Sequence, residues 1–243
     1  MNSRTRNRVS CIALLALAVA TPLAQAQSTN QGSADEQVIT SEAFLSSHPD
    51  LRYRLLGWRA YEKQDFDKAM EHFQRAARFA DKPSQGMVAE MLWHGQGTAP
   101  NRPLAMAWMD LAAERKFKLM LANRDRYWSS LSDAERLAAI DLAAPLYAEY
   151  GDDVAQPRLE RLLRTARRNS TGSRTGFVGN MRITIPGPDG SEVTVDGSQF
   201  YQEKFWKPEA YWAWQADVWK ELPQGRVEVG EMRESKDEAG KKK

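Results

Sequence analysis

Apolar residues recur with helical spacing over the middle of the chain, from residue 49 to about residue 168. Phe66, Met70 and Phe73 form one such stripe, because positions three and four apart lie on the same face of a helix. The pattern ends at Asn169, where a stretch rich in Gly, Ser and Thr begins. We therefore expect a mainly α chain whose C-terminal part has a different structure.

Small residues repeat within the helical part at a fixed distance. Ala69 and Ala105 are 36 residues apart, and so are the pairs Ala76-Ala77 and Ala112-Ala113. Gly and Ala allow two helix backbones to approach closely, which a helical hairpin with a short turn requires. A constant offset of this length is typical of stacked helical-hairpin repeats.

The turn between the two helices of the second unit has its own sequence pattern. Gly95 and Gly97 can adopt the backbone angles that end a helix and reverse the chain. Asn101 can then cap the following helix, and Pro103 fits its first turn.

These features resemble a known repeat. The segment Ser84–Lys116 is similar to a Sel-one-like repeat, a relative of the tetratricopeptide repeat, in the residues Gly95-x-Gly97, Ala105, Trp108 and Ala112-Ala113. It departs from the family at Val88-Ala89, where Leu-Gly is usual, and at Asn101 and Lys116, where Asp and Gly are common. The preceding unit, Arg54–Lys82, resembles a plain tetratricopeptide repeat. The resemblance implies a helical-hairpin array, or α-solenoid, that works in protein–protein interaction or as an adaptor.

Three further helices are predicted after the repeats. They cover Phe117 to Leu131, then a segment from the capping box at Ser132 to Tyr150, then Pro157 to Arg168. A solenoid needs its last apolar face covered, so we interpret these segments as capping helices.

The C-terminal part combines strand and helix patterns. Residues alternate in Met181–Ile185 and again in Glu192–Val195, with a Pro- and Gly-rich turn between them, which predicts a small β-hairpin. Pro208–Leu222 reads as an aromatic helix, and Val227–Val229 could add a strand.

The N-terminus has the three parts of a secretory signal in order. A basic region with Arg4, Arg6 and Arg8 precedes the apolar run 11–20, and Ala24-Gln25-Ala26 follows as a small-residue cleavage pattern. We therefore expect an exported bacterial protein, periplasmic or secreted, cleaved after Ala26. The predicted organisation is a signal peptide (1–26), a flexible leader (27–48), the helical repeat domain (49–168), the hairpin and aromatic helix (169–232) and a disordered charged tail (233–243).

Composition narrows the possible chemistry. Three of the 34 basic residues and none of the 32 acidic residues lie in the signal, so the mature chain is nearly neutral and nucleic acid is not an expected partner. The only cysteine, Cys11, also leaves with the signal. The three histidines have no metal-ligand spacing, and no nucleophile elbow or phosphate-binding loop occurs. We expect no cofactor, no metal site, no integral membrane segment after cleavage and no catalytic activity.

The first helix of each hairpin supplies one set of candidate binding residues. In arrays of this kind such helices line a concave groove. The candidates for contact with an unknown protein partner are Arg52, Arg59, Glu62, Glu90 and His94.

A second candidate is a basic stripe on the last predicted helix. Arg158, Arg161, Arg164 and Arg168 share one face by their spacing. The stripe is either a solvated helix face or a site for an anionic component of the cell envelope.

The third candidate is an aromatic cluster. Four of the eight tryptophans, Trp206, Trp212, Trp214 and Trp219, lie close together near the C-terminus. They either pack the hairpin onto the helical array, which we favour, or stack on sugars or a partner. The sequence thus favours an exported interaction or adaptor module. The alternative is a cell-wall or glycan-associated protein, with or without enzymatic activity, that uses the aromatic segment.

The signal makes a direct prediction about processing. Protein purified from the envelope fraction of a Gram-negative host should begin at Gln27, as measured by intact mass and N-terminal sequencing. Ala26→Arg should block cleavage because the small residue is lost, whereas Gln25→Asn should be processed normally. A mature chain that still begins at Met1 would contradict the prediction.

Overall fold

The computed structural model describes residues 35–171, 182–186 and 192–220. The signal peptide, the start of the leader, the hairpin turn, the strand expected at Val227–Val229 and the charged tail lie outside the described residues. The elements are α1 (35–40), α2 (Glu42–Leu45), α3 (Pro49–Glu62), α4 (Phe66–Ala77), α5 (Lys82–His94), α6 (Arg102–Ala112), a 3₁₀ turn (Ala113–Arg115), α7 (Lys118–Ser130), α8 (Asp133–Tyr150), α9 (Asp152–Thr171), β1 (Arg182–Pro186), β2 (Glu192–Asp196), α10 (Gly197–Phe200), α11 (Glu203–Trp206) and α12 (Pro208–Lys220).

The mainly α fold with helical hairpins is confirmed. Helices α3 and α4 form the first hairpin, and α5 and α6 form the second. A Cβ atom at Gly57 of α3 would lie 2.6 Å from the ring of Phe73 in α4, so glycine is what allows this contact. Ala69 and the pair Ala76-Ala77 are fully buried in the same interface.

The turn of the second hairpin has the expected chemistry. Gly95 and Gly97 adopt left-handed backbone angles, with φ of 70° and 71°. The Asn101 side chain accepts a hydrogen bond from the Leu104 amide at 3.1 Å and so caps α6. These two features reverse the chain and start the next helix as the sequence predicted.

Helices α7 and α8 follow, and both pack on α6. The capping box at Ser132 and Glu135 is present and starts α8. Helix α9 begins at Asp152, before the expected start at Pro157. The Asp152 amide donates a hydrogen bond to the Glu114 carboxylate at 3.1 Å, a tertiary contact that anchors the added first turn. Within the described part of the chain, no helix is both long and apolar enough to cross a membrane.

The prediction of a flexible leader is wrong for residues 35–48. This segment forms α1, α2 and a turn, and Val38 and Phe44 are fully buried. Their partners are Phe200, Phe205 and Trp206 from the C-terminal part. Because these partners lie far away in sequence, the local polarity of the segment did not indicate that it packs.

The C-terminal elements complete this layer. Strands β1 and β2 pair antiparallel, with Arg182 opposite Asp196 and Pro186 opposite Glu192, which confirms the hairpin. The aromatic helix is present as α12, and its Tyr211 packs with Leu159 and Leu163 of α9.

A buried histidine joins the two ends of the chain. His48 lies in the turn between α2 and α3, and its two ring nitrogens are each 2.8 Å from a carbonyl oxygen, of Phe44 and of Phe205. Its ring stacks on Phe44 with centroids 3.7 Å apart. Burial lowers the pKa of His48 to about 4, whereas the two carbonyl oxygens, which can accept from both ring nitrogens only when the imidazole is protonated, act to raise it.

A buried carboxyl group lies two residues further along. Asp50 is 2% exposed and accepts a hydrogen bond from the Tyr211 hydroxyl. Burial, followed by the nearby negative charge of Asp81, raises the pKa of Asp50 to about 7. Burial under the C-terminal part therefore lowers the pKa of His48 and raises the pKa of Asp50.

These two shifts predict opposite pH dependence in single variants. Between about pH 4 and 6.5 the folded chain keeps a proton on Asp50 that the unfolded chain has lost, and it lacks the proton that unfolded His48 binds. In the wild type the two contributions oppose each other. Relative to wild type, Asp50→Asn should make the free energy of unfolding rise more with pH in this window, and His48→Gln should make it fall more. Each change in slope should approach about 1.4 kcal/mol per pH unit.

Urea unfolding at pH 4.5, 5.5 and 6.5 measures these slopes. The wild-type slope is the control, because all other titrating groups contribute equally to the three proteins. Parallel curves for the two variants would contradict the assignment.

Candidate functional site

An open cavity of about 450 Å³ lies between α6, α7 and α8. Its walls include Trp128 of α7 and Ile140 of α8, which are 40% and 56% exposed. The other apolar lining residues are Met106, Ala107, Ala139 and Ala143. We call this the α6–α7–α8 pocket.

Small side chains explain why the pocket is empty of protein atoms. Ala107, Ala139 and Ala143 allow α6 and α8 to lie close together, but their methyl groups do not reach the space beside Trp128. Leu137, on the outer face of α8, is 66% exposed. Large apolar side chains thus lie in and near the pocket without cover from the described residues.

The rim of the pocket is charged. Asp110 accepts a hydrogen bond from the Tyr147 hydroxyl at 3.0 Å. Burial and the negative charge of Asp110 raise the pKa of Tyr147, so this phenol stays protonated and donates. Arg124 donates to the neighbouring Asp125 at 2.8 Å, and Asp125 remains 68% exposed. The rim therefore has two carboxylates and one guanidinium, which is already paired.

Of the five residues predicted to line the groove, the structure brings only Glu90 and His94 together. His94 lies 3.3 Å from Glu90 on α5, and Glu90 also pairs with Arg126 of α7 at 3.1 Å. Arg52 instead pairs with Glu42 of α2 at 3.1 Å. The two other predicted residues, Arg59 and Glu62, are exposed on α3.

The arginine stripe has the predicted spacing but its members differ in their contacts. Arg161, Arg164 and Arg168 are exposed on α9, with Arg164 paired to Glu160 at 2.9 Å. Arg158 instead donates to the backbone carbonyls of Arg78 and Glu149. It therefore supports the packing of α9, and the exposed stripe is reduced to the other three arginines.

The aromatic cluster makes contacts within the chain. Trp206 and Tyr211 are buried, and Trp214 meets Phe205 edge-on at 5.1 Å. Trp212 donates its indole N–H to Glu160 at 3.1 Å, and the Arg115 guanidinium lies 4.7 Å from its ring centroid. These contacts agree with the packing interpretation and leave no continuous exposed aromatic platform among the described residues.

Sequence reasoning missed a buried ion cluster. Lys82 is 1% exposed, and its ammonium lies 2.6 Å from Glu114 and 3.1 Å from Asp152. Arg115 pairs with the same Asp152 at 2.7 Å. The cluster joins α5, the 3₁₀ turn after α6 and α9, and nothing in the local sequence distinguishes Lys82 from an exposed lysine.

The pocket residues were also missed. Their signal in the sequence was α8, which is rich in alanine and carries apolar residues around most of its circumference. A helix that buries one face needs apolar residues on that face alone. Within the described residues, no group of three or more His, Cys, Asp or Glu could hold a metal ion.

Comparison with known proteins identifies the repeats. No curated protein matches this chain. The family model for the Sel1 repeat matches residues 54–78 and 83–117. Among solved structures the chain is similar to c5321, described as a protective antigen present in uropathogenic Escherichia coli strains and displaying an SLR fold. The identity is 20% and the TM-score 0.43, over 58% of this chain and 33% of that one. This chain thus corresponds to about a third of the length of c5321.

The match extends the resemblance seen in the sequence. The expected Sel-one-like unit, Ser84–Lys116, lies within the match at 83–117, and the preceding unit, which resembles a tetratricopeptide repeat, matches the same model at 54–78. The two segments that match the Sel1 model lie in the hairpins α3–α4 and α5–α6.

Proposed function

We propose that this chain is an exported protein-interaction module without catalytic activity, and that it binds a segment of a partner protein in the α6–α7–α8 pocket. The Sel1 repeats support the interaction role in general terms. The observation that carries the choice of site is the open cavity of about 450 Å³ beside exposed Trp128 and Ile140.

The size and lining of the pocket indicate what it can bind. A cavity of this volume accommodates a large aliphatic or aromatic side chain, and burying such a side chain contributes about 1.5–3 kcal/mol. Exposed apolar surface of this kind marks interaction sites on soluble proteins. The occupant we propose is a peptide segment that places one large apolar residue in the pocket.

The rim adds a charge preference. Asp110 and Asp125 border the apolar floor, while Arg124 is paired with Asp125. A lysine or arginine next to the apolar residue of the partner would therefore meet an uncompensated carboxylate. Opposite charge at an interface favours association and suppresses the wrong partners.

Two parts of this proposal, export and the lack of catalytic activity, are based on the sequence. The ordered signal at residues 1–26 supports export. The absence of nucleophile and phosphate-binding motifs supports a binding role.

A peptide selection with a pocket-filling variant tests this proposal. A random 12-residue phage library is selected on the full-length protein, and Kd is then measured for the enriched peptides by fluorescence anisotropy. We expect a large apolar residue beside Lys or Arg in these peptides. Ala143→Trp should weaken their binding by about tenfold or more, because the indole occupies the pocket, a loss of about 1.4 kcal/mol.

Ala148→Trp is the matched control. It adds the same side chain to an exposed position of α8 that does not line the pocket. Binding should be unchanged in this variant. Enriched peptides that bind the Ala143→Trp protein as tightly as wild type would place the site elsewhere and overturn the proposal.

A further inference from the structure

The chain leaves the described part of the fold close to the start of α7. Helix α12 ends at Lys220, and residues 221–243 follow it. The ring centroid of Trp219 lies 6.4 Å from that of Phe117, which directly precedes α7. Helix α7 in turn supplies one wall of the α6–α7–α8 pocket. The segment 221–243 is therefore tethered beside a helix that forms the pocket.

The tether is long enough to reach the cavity. The pocket residues Arg124 and Trp128 follow Phe117 by seven and eleven residues, which corresponds to about 10 and 16 Å along α7. An extended chain covers up to about 3.3–3.6 Å per residue. Residues more than about seven positions after Lys220 can therefore reach the pocket.

One residue of the segment combines sufficient reach with sufficient size. The large aliphatic side chains among residues 221–243 are those of Leu222 and Met232. Leu222 is the second residue after α12, so its tether spans only about 7 Å. Met232 is the twelfth, and its unbranched side chain adapts to irregular apolar cavities. Met232 is therefore the residue of this segment that suits the pocket.

The neighbours of Met232 carry charges of both signs. Arg233 follows it and can face the exposed rim carboxylate of Asp125, as a basic residue of a partner would. Glu231 and Glu234 lie on either side of this pair, so the four residues have a net charge of −1. The apolar contact must then supply most of the affinity, and the segment binds more weakly than a partner whose apolar residue is flanked by basic residues alone.

We propose that Met232 occupies the α6–α7–α8 pocket in cis, and that a partner binds by displacing it. This regulation rests on the proposed function, because it acts on the same pocket. A short covalent connection gives the tethered segment an effective concentration on the order of 1 mM. An intrinsic Kd of about 0.1 mM would then suffice to keep the pocket occupied about nine-tenths of the time and to weaken the binding of a partner about tenfold.

Photocrosslinking tests the cis contact without any partner. Full-length protein is produced with the diazirine analogue of methionine, which preserves the size and apolar character of the side chain. After irradiation at low-micromolar concentration, the monomeric band is digested, and links formed by position 232 are mapped by mass spectrometry. We expect links from position 232 to the pocket walls in α7 and α8.

The two tryptophan variants of α8 provide the matched control. Ala143→Trp fills the pocket and should remove these links, whereas Ala148→Trp lies outside the cavity and should keep them. Links from position 232 to another surface, or links that are equal in the two variants, would overturn the inference.

The affinity of selected peptides for full-length variants provides a second measurement. Met232→Asp removes the competing side chain, so it should bind pocket-directed peptides about tenfold more tightly than wild type. Val229→Asp introduces the same charge in the same segment and should leave the affinity at its wild-type value. Equal affinities in Met232→Asp and wild type would show that Met232 does not compete.

The two proposals fail in different ways. If no peptide depends on Ala143, the proposed function fails, and the crosslinks still decide whether Met232 lies in the cavity. If peptides bind the pocket but Met232→Asp and the crosslinks show no effect at the cavity, the pocket remains a binding site and the cis contact is excluded.

Discussion

The close contact between successive helices is the constraint on which this structure depends. The ring of Phe73 occupies the space where a side chain at position 57 would be, so α3 and α4 can pack only with glycine there. Buried alanines play the same part in α4 and α6. The hairpins then stack through α4 and α5, and the array ends where no further hairpin covers its last helices.

The two ends of the array meet this requirement differently. At the first hairpin, the N-terminal segment and the C-terminal helices fold over α3, and His48 bridges them through the carbonyls of Phe44 and Phe205. At the other end, Leu137 and Ile140 of α8 are exposed beside an open cavity. One end is closed by the chain itself, and the other has the features of a site that a partner covers.

The closed end also has an unusual polar interior. Asp50 and Arg54 of α3 lie close to Tyr211 of α12, and burial raises the pKa of Asp50 while it lowers that of His48. Buried ionisable groups stabilise a fold less than apolar packing does. They lie where two distant segments of the chain meet, whereas the buried ammonium of Lys82 contacts two carboxylates within the array.

The sequence alone determined the repeats, the Gly95 and Gly97 turn, the capping box at Ser132, the β-hairpin and the aromatic helix, because each depends on residues close together in the chain. Only the tertiary structure decided that residues 35–48 pack, that Lys82 is buried, and that Arg158 supports α9. It also decided that a cavity remains between α6, α7 and α8. These features depend on partners tens of residues to more than one hundred residues away, and periodicity carries no information about which distant faces meet.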